Sequence, residues 1–220
     1  MAILSEIRAF LFDMDGVIID SNPLHRVAWD EYNLRYGIQT TEEMHAAMYG
    51  KRNDQIVRVY FGTGLTDAEV DAHGEAKEVL YRELMADRLE ESLVPGVRQF
   101  VAGLGSIPRA VATNANQANL DFVLDRSGLR QYFPVAVHGG QVANPKPAPD
   151  VYLRAAELIG VAPRHCVVFE DSKGGAAAGV AAGMRVVGIS TTFAHLPGTE
   201  LMVRSFSDPA LREWLEANRL

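Results

Sequence analysis

FLFDMDGVIIDSN, from Phe10 to Asn22, ends an apolar run with two aspartates one residue apart and a glycine directly after. Asp and Gly both tolerate turns, and an Asp side chain can hydrogen-bond its own backbone. A turn needs no pair of carboxylates, however. At about 4 Å and an effective dielectric near 20 their repulsion costs roughly 4 kcal/mol. Something elsewhere in the chain must offset it.

Further apolar runs follow the first: RAVAT from Arg109, VAVH from Val135, CVVFE from Cys166, RVVGIS from Arg185 and a weaker MVRSF from Met202. They are apolar on both faces rather than alternating, the mark of parallel strands covered by helices on both sides. Helical patterns lie between most of them. QANLDFVLDRSG places Leu120, Val123 and Leu124 on one face; APDVYLRAAELIG carries Pro149 early and Gly160 at its stop. SKGGAAAGVAAG predicts a helix with almost no side-chain bulk, able to lie close to a sheet. Alternating strand and helix predicts an α/β fold with a doubly wound parallel sheet.

Residues 22 to 92 break the alternation and read as helices only. NPLHRVAWDEYNLRYG opens at Asn22–Pro23, sets Leu24, Val27 and Ala28 on one face and stops at Gly37. TTEEMHAAMYG offers a capping box in Thr40 and Glu43, and the pattern from Thr66 offers another with Glu69, with Gly74 inside it. The expected organisation is a catalytic core of residues 1–20 plus 94–220, with an all-α helical cap inserted at 21–93. VIIDSN and LVPGV would be its hinges.

The 220 residues are 48% hydrophobic and 22% charged, with a formal net charge of -7. That balance suits one good core with a small satellite domain. It lacks the basic footprint of a nucleic-acid binder. The single cysteine, Cys166, sits in an apolar run and reads as a buried, inert thiol. One cysteine permits no intramolecular disulfide, which fits a reducing cytoplasm. The start, MAILSEIRAFLF, lacks a signal-peptide layout, and no apolar run is long enough to span a bilayer. A cytoplasmic monomer without membrane or nucleic-acid partners is expected.

In an open parallel sheet, ligands bind beyond the carboxyl ends of the strands. There stand Asp13 and Asp15 after the first run, Thr113 and Asn114 after the second, Lys146 beyond the third, and Glu170 and Asp171 after the fourth. Four close carboxylates without a cation would repel or take up protons. A hard divalent cation removes the conflict, and Mg²⁺ suits it, with oxygen ligands from carboxylates, waters and a substrate phosphate.

DMDGVIIDS, ATN, KPAPD and EDS occur in that order, each after an expected strand. The chain resembles the haloacid dehalogenase superfamily, in its phosphatase and phosphomutase branch with a helical cap, from about Ile7 to Ile189. The resemblance implies Asp13 as nucleophile through an aspartyl-phosphate and Asp15 as general acid and base. It implies Mg²⁺ held by Asp13, the backbone carbonyl of Asp15 and Asp171, with Glu170 direct or through water. Lys146 would offset charge on the phosphoryl group, with Thr113 and Asn114 hydrogen-bonded to its oxygens. The plain alternatives are a solvated loop lysine at 146 and a helix N-cap at 113–114.

His25 stands where capped relatives carry a histidine coupling the cap to the acid/base aspartate. Lys51, Arg52 and Asn53 lie in the stretch similar to the cap's substrate-reading loop, and Gly16 and Gly50 complete the expected substrate-binding set. Mutases usually place a lysine just before this glycine and an arginine three residues after it; here stand Tyr49 and Asn53. The expected function is therefore Mg²⁺-dependent hydrolysis of a small phosphorylated metabolite, a sugar phosphate. A β-phosphoglucomutase-like activity is the alternative, and a non-catalytic sugar-phosphate-binding module the lesser one.

Overall fold

The computed structural model describes residues 6–218; Met1–Ser5, the opening of the stretch read for a leader, lie outside it. Among the described residues six strands form one sheet: β1 (Ala9–Phe12), β2 (Arg109–Ala112), β3 (Val135–Val137), β4 (Cys166–Glu170), β5 (Arg185–Ile189) and β6 (Leu201–Val203). All neighbours pair parallel, in the order β3-β2-β1-β4-β5-β6. The weak sixth run is a true edge strand. β1 pairs β2 on one side and β4 on the other, so the order reverses at β1, where ligand crevices form in such sheets.

The helices among the described residues are α1 (Asn22–Leu34), α2 (Glu42–Met48), α3 (Asn53–Phe61), α4 (Asp67–Met85), α5 (Val97–Gly103), α6 (Gln117–Arg126), α7 (Asp150–Leu158), α8 (Lys173–Ala181) and α9 (Pro209–Ala217). Both faces of the sheet are covered, as apolar two-sided strands require. On one face Phe10, Phe12 and Phe169 pack with Phe100 and Phe206, joined by Val101 of α5, Val123 of α6 and Leu211 of α9. On the other, Leu11 and Val168 pack against Tyr152 of α7 and Ala176 of α8. The small residues of α8, Gly175, Ala176, Ala178 and Gly179, face the interior as expected.

α1 to α4 form the helical cap, packed around Trp29, Tyr32, Val57, Tyr60 and Tyr81. α3 begins at Asn53, directly after the loop expected at Lys51 and Arg52, and the sequence reading did not single it out as a helix. Its N-terminus has no Ser, Thr, Asp or Asn at the capping position, which is Arg52, so the usual start signal is missing. The capping box at Thr66 and Glu69 forms as read, with Glu69 N–H donating to Thr66 Oγ1 at 3.3 Å and Thr66 N–H to Glu69 at 2.8 Å. The one at Thr40 is corrected: Thr41 is the cap, accepting from Met44 N–H, and Thr40 Oγ1 instead accepts from the buried Asn33 amide at 2.9 Å. α4 runs unbroken through Gly74, where a Cβ would come 3.1 Å from the Asn53 Cβ. The two chain crossings between cap and core pair with each other: Asp20 N–H donates to Ser92 O at 2.7 Å and Val94 N–H to Ile18 O at 3.0 Å.

Candidate active site

Asp13 follows β1 directly, and Glu170 closes the adjacent β4. Parallel register puts Phe12 opposite Phe169, so Asp13, Glu170 and Asp171 emerge side by side. One carboxylate oxygen from each lies within 4.8 Å of the others, and all three residues are buried. Lys146 sits among them, 3.0 Å from Asp13 Oδ1 and 2.7 Å from Glu170 Oε1, with its side chain 1% exposed. The plain alternative of a solvated loop lysine is thereby excluded. The Tyr152 ring lies beneath its ammonium at 4.7 Å.

Glu170 is saturated. Its Oε1 accepts from Lys146 and from Tyr152 O–H at 2.7 Å. Its Oε2 accepts from Asp171 N–H, Ser172 N–H and Ser172 O–H at 3.0–3.1 Å. Five donors fill the four acceptor sites of a carboxylate. Asp13 is less committed: Oδ1 takes Met14 N–H at 2.8 Å and faces Lys146. Asp13 and Asp171 are therefore the carboxylates with capacity to spare.

The three carboxylates are shifted unequally by burial and by their charged neighbours. Burial pushes Asp13 up to about 8; Lys146 pulls it down, while Glu170 and Asp15 raise it. Burial, with Glu170 and Asp13 nearby, pushes Asp171 well above the usual carboxylate range. Glu170 lies below its ordinary value, because Lys146 and its hydrogen bonds outweigh burial. One ammonium thus holds one carboxylate low while burial and like charge raise the other two. A hard divalent cation would supply the missing positive charge, and an all-oxygen donor set suits Mg²⁺.

The sharp DMDG turn brings Asp15 to the same opening. Gly16 has φ +74°, in the left-handed region, and a Cβ there would stand 1.9 Å from Asp171 Oδ2. Asp15 Oδ1 accepts from Ser21 O–H at 2.6 Å and lies 3.4 Å from His25 Nε2. The His25 ring stacks on Tyr81, centroids 3.8 Å apart, and its Nδ1 is 3.1 Å from Lys77 Nζ. An ammonium can only donate, so Nδ1 accepts, the proton sits on Nε2, and Nε2–H points at Asp15.

Lys77 is a functional candidate that the sequence reading passed over. It lines the cavity with Asp13, Asp15, His25 and Trp29. Its Nζ lies 4.9 Å over the Trp29 ring and 2.7 Å from Glu78. Glu78 in turn accepts from Asn53 at 2.8 Å and, across to the core, from Asn119 at 2.6 Å. The signal was present: Val70, Gly74, Lys77 and Tyr81 form one buried stripe of α4 at helical spacing. A lysine on such a stripe demands a partner and a purpose.

The remaining expected residues divide. Thr113 is buried beneath the cavity, its Oγ1 accepting from Ala115 N–H at 3.0 Å. Asn114 ties three segments together, donating to the cap's Gly50 carbonyl at 2.9 Å and accepting from Lys146 N–H at 3.1 Å. Neither caps the next helix; Asn116 does, accepting from Asn119 N–H. Gly50, φ +73°, is where cap meets core, and a Cβ would lie 2.8 Å from Ser172 Oγ. Lys51 is exposed at the cavity edge and makes no ion pair among the described residues. Arg52 lies outside that cavity's lining, held by Asp54 at 2.7 Å with a 3.4 Å contact to Gly139 O. Asn53 lines the cavity but spends its amide on Glu78, and Tyr49 packs edge-on against Phe193. Cys166 is buried, and burial pushes its thiol up to about 12.

Fold and site together define a helically capped α/β protein with an acidic, lysine-balanced centre at the switch point of its sheet. A haloacid dehalogenase family IA hydrolase from Entamoeba histolytica has the same fold: TM-score 0.85, 27% identity, covering 97% of this chain and all of that one. The chain belongs to the haloacid dehalogenase-like hydrolases, whose family model matches residues 7–183. It is 37% identical to the fructose-1-phosphate phosphatase YqaB of Escherichia coli over 81% of this chain and 94% of that protein. It is also 29% identical to the β-phosphoglucomutase of Bacillus subtilis, over 94% and 95%. No described helix is long and apolar enough to cross a membrane.

Proposed function

We propose that this chain is a Mg²⁺-dependent phosphatase that hydrolyses a sugar phosphate through an aspartyl-phosphate. The observation that carries the reading is a buried Asp13, touched by Lys146 and opening onto the same cavity as Asp15. Asp13 and Asp171, with the Asp15 carbonyl, would hold the cation, which when bound ionises the carboxylates and offsets phosphoryl charge. Glu170, its oxygens already filled, would reach it only through water.

An oxygen of ionised Asp13 attacks phosphorus while the bond to the sugar oxygen breaks. Asp15, protonated for this step, gives its proton to that leaving oxygen. Lys146 and Thr113 balance the equatorial oxygens. In the second half Asp15 takes a proton from water as that water attacks phosphorus, the Asp13–O–P bond breaks, and inorganic phosphate leaves. His25 Nε2–H and Ser21 O–H hold Asp15 in place.

The cap favours hydrolysis over mutase chemistry. A mutase must grip a second phosphate while its bisphosphate turns around. Tyr49 and Asn53 bring no cation, Arg52 is spent on Asp54, and Lys77 is neutralised by Glu78, which leaves Lys51 as the open charge. Residues 21–93 would move as the cap on a core of 1–20 plus 94–220. The reading is supported by the paired crossings at Ile18–Asp20 and Ser92–Val94.

The test is p-nitrophenyl phosphate hydrolysis with Mg²⁺ and with excess EDTA, followed by product analysis over a panel of sugar phosphates. Turnover should need Mg²⁺. β-Glucose 1-phosphate, even with glucose 1,6-bisphosphate as primer, should yield more inorganic phosphate than glucose 6-phosphate. Full activity in EDTA would refute the metal role, and faster formation of glucose 6-phosphate would favour the mutase.

A further inference from the structure

Asp171 is held from a side that neither the metal nor the phosphoryl chemistry requires. Thr192, in the turn after β5, donates its hydroxyl to Asp171 Oδ2 in a short hydrogen bond. Asn22 Nδ2 donates to the same oxygen at 3.2 Å and to Thr192 Oγ1 at 2.6 Å. The neighbouring Thr191 hydroxyl donates to the Gly16 carbonyl at 2.6 Å. The turn after β5 therefore clasps the DMDG loop and Asp171 at once. Asp171 Oδ2 is accounted for; Oδ1 accepts no hydrogen bond from any described residue.

This asymmetry has a chemical consequence. Asp171 is 3% exposed, and one of its oxygens lies within 4.8 Å of carboxylate oxygens of Asp13 and Glu170. Without lateral donors the carboxylate could rotate and offer either oxygen. With Oδ2 pinned by two neutral donors, Oδ1 is the oxygen left to coordinate, and the rotation is stopped before binding. Partners of this kind are worth 10–100-fold in metal affinity where they have been removed, as an order of magnitude. Asn22 is also the first residue of α1, so one of the two donors comes from the cap side of the hinge.

We propose that Asn22 and Thr192 are positioning residues that orient Asp171 for a divalent cation; the inference rests on the Mg²⁺ reading above. It is tested without turnover, by calorimetric titration of Mg²⁺ into the substrate-free protein, repeated with Mn²⁺ by electron paramagnetic resonance. Asn22→Ala and Thr192→Val should each weaken the cation about 10–100-fold. Thr192→Ser, which keeps the hydroxyl, should bind as the wild type does. Circular dichroism melts identify any variant that does not fold, and the Val/Ser pair at 192 decides the matter if Asn22→Ala is lost. If the wild type binds Mg²⁺ and both variants bind it equally well, the positioning role is refuted while the metal reading stands. If Thr192→Ser is as weak as Thr192→Val, the hydroxyl is not what matters and the role is refuted. If the wild type binds no Mg²⁺, the metal reading itself fails and takes the inference with it.

Discussion

Replacing Glu78 with glutamine should change how the protein's stability depends on acid, not only how stable it is. Glu78 is 5% exposed and accepts from Lys77, Asn53 and Asn119. Burial works against its charge, but the Lys77 ammonium and the hydrogen bonds from Lys77 and Asn119 outweigh it and hold the carboxyl at about 2 against an ordinary 4.5. A shift of that size corresponds to about 3 kcal/mol of folding free energy, at about 1.4 kcal/mol per unit. Because the folded value is the depressed one, this contribution is complete above about pH 5 and lost as the pH falls through 4.5 toward 2. Between pH 7 and pH 3.5 the loss comes to about 1 kcal/mol, since the unfolded carboxyl is then mostly protonated and the folded one is not.

Glu78→Gln keeps the shape and does not titrate. Urea denaturation of both proteins at the two pH values isolates the residue, because every other carboxylate is common to both. The wild-type advantage should shrink by about 1 kcal/mol at the lower pH. An unchanged gap would mean that Lys77 does not compensate Glu78 in the folded cap, and the charge chain from His25 to Asn119 would have to be abandoned.

Three further variants test the site. Asp13→Asn should reduce turnover to background, while Asp15→Asn should be slow yet accumulate a phosphorylated protein, seen by intact-mass spectrometry with a substrate bearing a good leaving group. Normal turnover in Asp13→Asn would remove the covalent step. Gly16→Ala forces a side chain into a left-handed backbone and against Asp171 Oδ2. It should cost at least about 1–2 kcal/mol of stability and most of the activity; a variant with unchanged melting temperature and rate would contradict the packing at the DMDG turn.

Much of this was legible in the chain because it is encoded locally. Two-sided apolar runs such as CVVFE can only be strands covered on both sides, and the position of a charged residue just past a run already places it at the carboxyl end of the sheet. Asp13, Lys146, Glu170 and Asp171 were found by that rule, and the structure brings them together as it requires. Start signals were less exact. Thr40 and Thr41 are chemically equivalent, and the neighbour that accepts the Asn33 amide decided between them. Asn116 is the cap of α6, not the Thr113–Asn114 pair that was the plain alternative for it; those two side chains are spent within the site. α3 went unread because Arg52 gives no ordinary capping signal.

What only the tertiary structure decided are pairings between residues far apart in the chain. His25 with Lys77, Glu78 with Asn119, and Asn22 with Thr192 and Asp171 depend on how the cap helices lie against the core, and no local period encodes that. The same holds for the diversion of Arg52 to Asp54 and for the saturation of Glu170. Composition and spacing determine which groups are present at the mouth of the sheet. Whether a given charge is free for a ligand depends on which neighbour reaches it first, and that is settled by packing.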